Sequence, residues 1–90
     1  MFLHVLSVGM CSDYCLECGF NTGETLHINC SKELYSEVFA PLLDKQYFTE
    51  VHINLSTLTV EWISGADFAP EFLYALAQKQ VHSSEILSTP

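Results

Sequence analysis

Apolar and polar positions alternate through much of the chain, the spacing that buries one face of a β-strand and wets the other. From Tyr14 to Phe20, the residues Tyr14, Leu16, Cys18 and Phe20 share one face, while Asp13, Cys15, Glu17 and Gly19 share the other. Asn21, Thr22 and Gly23 follow as a tight turn, in which Gly23 can take the positive φ of a short hairpin loop. A second strand then places Leu26, Ile28 and Cys30 inward and Thr25, His27 and Asn29 outward. The run MFLHVLSVGMC ahead of this hairpin reads as a further strand.

After Cys30 the period changes. Ser31 is suited to cap a short amphipathic helix carrying Leu34, Val38, Phe39 and Leu42, which Pro41 ends near Phe39. The stretch PLLDKQYF is expected to be irregular or single-turn structure anchored by Leu42, Leu43 and Phe48. A second hairpin pairs TEVHIN with TLTVEW around Leu55 and Ser56, with Val51 and Ile53 in the same layer as Leu58, Val60 and Trp62. SGAD breaks that strand, and Pro70 opens a helix with Glu71 in its positive first turn and a stripe of Phe72, Leu73 and Leu76. The expectation is an α+β fold: a small, mainly antiparallel sheet of about five strands, two hairpins plus the N-terminal strand, with two helices packed on one face. Residues 1–80 form a single domain and 81–90 a disordered tail.

Ninety residues suffice for one domain, and the 49% hydrophobic content supplies its core. Eleven acidic against three basic residues give a net charge of −8, which repels a phosphate backbone, so no direct nucleic-acid contact is expected. The same charge disfavours an anionic membrane, and no apolar run approaches the ~20 residues of a spanning helix. The N-terminal run lacks the basic segment of a secretory leader, and Met10 precedes Cys11 where lipoprotein cleavage needs a small residue. A cytoplasmic location follows, in which all four cysteines are expected to remain thiols.

Cys11, Cys15, Cys18 and Cys30 raise the question of a metal. They lack two paired C-x-x-C knuckles, and in an unbroken strand Cys15 and Cys18 leave opposite faces. Packing is the better reading for the inward Cys18 and Cys30, and no metal or cofactor is expected. As a redox motif, CLEC lacks the helix N-terminus that would activate its first thiol. His27 and His52 are outward and solvated, and there is no G-x-S-x-G elbow or phosphate-cradling glycine loop. Asp67 and Glu71 read as servants of the following helix start, so no catalytic residue is assigned.

The stretch EWISGADFAPEFLY, together with FNTGETLHINC and VFAPLLDKQYFTEVHIN, resembles the domain of unknown function 2442 family of small bacterial proteins. The pattern falls on Phe20, Gly23, Val38, Phe39, Leu42, Asp44, Phe48, Trp62, Gly65, Asp67, Pro70, Glu71, Leu73 and Tyr74. Ile63 and Ser64 depart from the Pro and Asn common in the family, and Cys15 and Cys18 stand where it commonly has Val. The resemblance makes Trp62, Gly65, Asp67, Pro70, Glu71 and Tyr74 the candidate structural or interaction positions. It implies a non-catalytic protein-interaction module, the antitoxin-like half of a toxin–antitoxin type pair, since some relatives are encoded beside a small partner. The partner expected is a protein, a small basic neighbouring gene product that the acidic surplus would attract, with a homodimer as competitor. The outward Thr25, His27, Thr57, Thr59 and Glu61 would form the polar sheet face for such contacts. The alternative is a small-ligand-sensing or regulatory domain, related to modules fused to helix-turn-helix regulators, with a pocket near Trp62 and Asp67.

Overall fold

In a computed structural model of the chain, residues 2–88 are described, with side chains described through residue 81. Three strands, β1 (Val5–Ser12), β2 (Cys15–Phe20) and β3 (Thr25–Asn29), form one antiparallel sheet in that order. Two short 3-10 segments, Ser31–Glu33 and Glu37–Leu43, lead into the single turn α1 (Lys45–Phe48). A second antiparallel sheet holds β4 (His52–Asn54), β5 (Thr59–Glu61) and β6 (Asp67–Phe68), and α2 (Pro70–Ser88) completes the described chain. The α+β class and both hairpins are as the alternation indicates, with six strands among the described residues divided between two sheets. The tail expected at 81–90 lies, from residue 82, outside the described side chains.

The first sheet follows its polar pattern except at Cys15, expected on the outward face but buried at the start of β2. Leu16, Cys18 and Phe20 of β2 and Ile28 of β3 are buried, while Glu17, Thr25 and His27 face solvent. Gly23 closes the β2–β3 loop at φ 93°, a backbone conformation that costs a residue with a Cβ about 1 kcal/mol or more. The second hairpin pairs Ile53 with Val60 and Asn54 with Thr59. Its loop spans 55–58, because Leu58 at φ 55° donates its N–H to the Asn54 carbonyl. A single backbone bond, from Val5 N–H to the Leu58 carbonyl at 2.9 Å, ties β1 to this loop.

The amphipathic helix expected after Ser31 does not form. Ser31 lies inside the first 3-10 segment, whose leading flank is Cys30 without a side-chain cap, and Val38 is 61% exposed. Pro41 sits within the second segment, where its missing N–H is incompatible with a continuous i to i−4 ladder. Leu34 and Leu42 still reach the core, so the apolar spacing records burial by two short turns. Asp44 restarts the helix by accepting from the Gln46 and Tyr47 amides. Leu43, expected as an anchor, is exposed.

Strand β6 escaped the alternation because it is only two residues long, paired to Val60 and Glu61. Its presence moves Asp67 from a helix-capping role into a strand. Thr59, expected on the polar outer face, is buried, and its hydroxyl donates to the Phe68 carbonyl beside it.

Candidate functional site

The six motif positions split between interior and surface. Trp62 is 1% exposed, its indole N–H donates to the Phe48 carbonyl at 2.9 Å, and its ring lies 5.2 Å from Phe48 and 5.9 Å from Phe68. The turn after it is closed by bonds from Gly65 N–H to the Trp62 carbonyl and from Trp62 N–H to the Ala66 carbonyl. Gly65 takes φ 94°, the left-handed conformation that glycine adopts without steric cost. Pro70 is buried at the first position of α2, whereas Asp67 and Glu71 are exposed. Phe72 stacks on Phe68, which stacks in turn on Phe39, forming an aromatic column that fills the space beside Trp62.

Tyr74 reaches a different neighbour. Its hydroxyl donates to Glu24 Oε1 at 2.7 Å, and its ring meets Phe20 edge-on at 5.4 Å. The first contact fastens α2 to the loop between β2 and β3, across fifty residues of sequence. The phenol, followed by the Thr22 hydroxyl, holds the Glu24 carboxyl below its ordinary range, while the Glu24 hydrogen bond followed by desolvation pushes the phenol up. A depressed carboxyl pKa stabilises the fold above the unfolded value of about 4.3 and loses that contribution as pH falls through the folded value. The raised phenol contributes below its unfolded value of about 10 and is lost as pH rises through its folded one. In Tyr74→Phe the Glu24 titration, followed by NMR, is therefore expected to rise towards the ordinary range, with a smaller loss of stability on acidification. An unchanged Glu24 titration would rule out the coupling.

The aromatic column packs against Trp62 through Phe68, and an open cleft of about 510 Å³ lies elsewhere, between the end of β3, the first 3-10 segment and α2. Lys32, Glu33, Leu76 and Lys79 line it. At one side the Gln80 amide bonds to both the N–H and the carbonyl of Asn29, at 3.0 and 2.7 Å. Lys32 and Lys79 are two of the chain's three basic residues, and neither makes an ion pair among the described residues. The third, Lys45, meets Asp13 at 3.2 Å. Sequence spacing could not reveal this cleft, because Asn29 and Gln80 are joined only by the docking of α2.

On the second sheet, His52 and Asn54 both approach Glu61, at 3.3 and 3.2 Å, and on the first His27 meets Glu17 at 2.9 Å. These are outward pairs, in keeping with the solvated reading of the histidines. Among the described residues no group of three or more His, Cys, Asp and Glu side chains is gathered for a metal. Cys18 and Cys30 are buried thiols, both pushed up to about 12 by burial. The expectation that all four cysteines stay as thiols is corrected, for Cys11 and Cys15 are joined in a disulfide with their Cα atoms 5.3 Å apart. No helix among the described residues is long and apolar enough to cross a membrane.

A family model described as a protein of unknown function, DUF2442, matches residues 5–79. No curated protein matches the chain. Among solved structures, a putative DNA binding protein from Nitrosomonas europaea is similar, with 30% identity and a TM-score of 0.81 over 91% of this chain. The match covers 53% of that protein, so the present chain spans about half its length. This likeness to a putative DNA binding protein corrects the expectation of no direct nucleic-acid contact.

Proposed function

The chain belongs to the DUF2442 family of proteins of unknown function, and from that premise we propose that it is a non-catalytic interaction module of a DNA-binding regulatory system. The observation carrying this reading is the likeness of nearly the whole chain to about half of a putative DNA binding protein. Lys32 and Lys79 at the cleft are the cations suited to phosphate oxygens, whereas Lys45 is engaged by Asp13. Two lysines make a shallow salt dependence: at about −0.9 per neutralised phosphate, the slope of log K against log salt is about −2. Firm holding of a duplex then draws on cations outside these ninety residues.

Fluorescence anisotropy with a random duplex is expected to show weak binding at low salt with that slope, abolished in the Lys32→Gln, Lys79→Gln double variant. Formaldehyde cross-linking in the native host should recover discrete DNA segments with the tagged chain. Equal DNA recovery from tagged and untagged cells, together with no binding in vitro, would sink the reading. A second reading, ligand sensing, is favoured by the same cleft, where two ammonium groups and the Glu33 carboxylate could receive a small zwitterion. Thermal shift against amino acids distinguishes it, because a ligand that binds the folded chain raises the melting temperature, with a stabilisation that grows as the logarithm of one plus the ratio of free ligand to Kd.

A further inference from the structure

The turn between β1 and β2 carries a chemistry that the proposed role leaves unused. β1 pairs with β2 through Met10↔Leu16 and Ser12↔Cys15, so Cys11 is the extra residue of a β-bulge. Strand parity alone would not direct Cys11 and Cys15 to each other. The bulge does so, and the bond closes a loop containing Ser12, Asp13 and Tyr14. Its two sulfurs stand in unequal surroundings, for Cys11 is exposed while Cys15 is only 9% exposed.

The enclosed loop is also the clasp that holds the 43–48 segment. Tyr14, at φ 58°, donates its hydroxyl to the Leu43 carbonyl, sets its ring edge-on to Phe48 at 5.4 Å, and accepts the Cys30 N–H at 2.8 Å. Asp13 meets Lys45 at 3.2 Å. Any change in the loop is therefore felt by residues that pack beside Trp62.

We propose that Cys11–Cys15 is a thiol-exchange site for low-molecular-weight thiols and disulfides, with Cys11 the sulfur that receives the small molecule. In the reducing direction, a small thiolate attacks Cys11 Sγ, a mixed disulfide forms there, and the Cys11–Cys15 bond breaks with Cys15 leaving as thiolate. A second small thiolate then attacks the small molecule's own sulfur. Cys11 leaves as thiolate, the small molecules depart as their disulfide, and the two protons they bring end on the two cysteines. Oxidation runs the same steps backwards, the small disulfide taking up two electrons. Cys18 and Cys30 stand apart from this exchange because they are buried in the core, where the thiolate is also disfavoured.

The full reduced chain, exposed to oxidised glutathione under native conditions, alkylated and peptide-mapped, provides the test. Cys11 and Cys15 should be found joined, with Cys18 and Cys30 unmodified until denaturant is added. Cys15→Ser should accumulate one glutathione on Cys11, whereas Cys11→Ser should react at Cys15 at least about tenfold more slowly, as its shielding requires. Reduction should raise hydrogen exchange at the Cys30 N–H by about tenfold and leave Val60 unchanged, the signature of a local opening. Cys11 and Cys15 remaining unjoined in native wild-type chain would overturn the proposal, with no reliance on a variant folding. So would glutathione appearing on Cys18 or Cys30 as fast as on Cys11, because exchange would then follow global unfolding.

Discussion

Trp62→Ala is expected to lose about 3 to 5 kcal/mol of stability in a urea titration followed by circular dichroism, the cost of emptying a large buried aromatic site. The reasons are its near-complete burial, its ring contacts with Phe48 and Phe68, and the hydrogen bond from its indole to the Phe48 carbonyl. Domains of this kind have about 5 to 15 kcal/mol in total, so the variant stands close to unfolding at room temperature. Trp62→Phe separates the two contributions: it keeps much of the packing but orphans the carbonyl, for a penalty of about 1 to 3 kcal/mol. A Trp62→Ala protein with an unchanged urea midpoint would show that the indole does not support the core.

Phe48→Ala should be comparably severe, at about 3 to 5 kcal/mol, because this fully buried ring joins Tyr14 in the β1–β2 turn to Trp62 just beyond β5. The two losses should not add. Once either ring is gone, the other faces a cavity and has less to lose, so the double variant should fall short of the sum by about 0.5 to 3 kcal/mol. Strict additivity in a double-mutant cycle would mean that the rings act independently despite their 5.2 Å separation.

What was legible in the sequence was what residues decide among near neighbours. The β2–β3 hairpin follows from period-two alternation and a glycine at the turn, and the start of α2 from a proline at its first position. The segment after Ser31 misled because Leu34 and Leu42 are spaced as on a helix, yet Pro41 leaves room only for short turns. The resemblance draws attention to Trp62 and Tyr74, but their roles need partners remote in sequence, the Phe48 carbonyl and the Glu24 carboxylate. The cysteines show the limit most clearly. Parity correctly separated Cys15 from Cys18, but it assumes an unbroken ladder, and a single bulge at Cys11 cancelled that assumption for the neighbouring pair.

The Gln80 side chain on Asn29 bears on how the first sheet ends. The Cys30 N–H bonds to the Tyr14 carbonyl and the Phe20 N–H to the Glu24 carbonyl, so alternation along the antiparallel ladder points the backbone groups of Thr25, His27 and Asn29 away from β2. That row is the rim on which a stray strand would template itself. By taking both groups of Asn29, the primary amide imitates one residue of a neighbouring strand and then stops, since its side chain has no next residue to offer. Growth of the sheet is thereby terminated at this end by a molecular decoy, leaving a foothold of two residues, too short to seed a stack of chains.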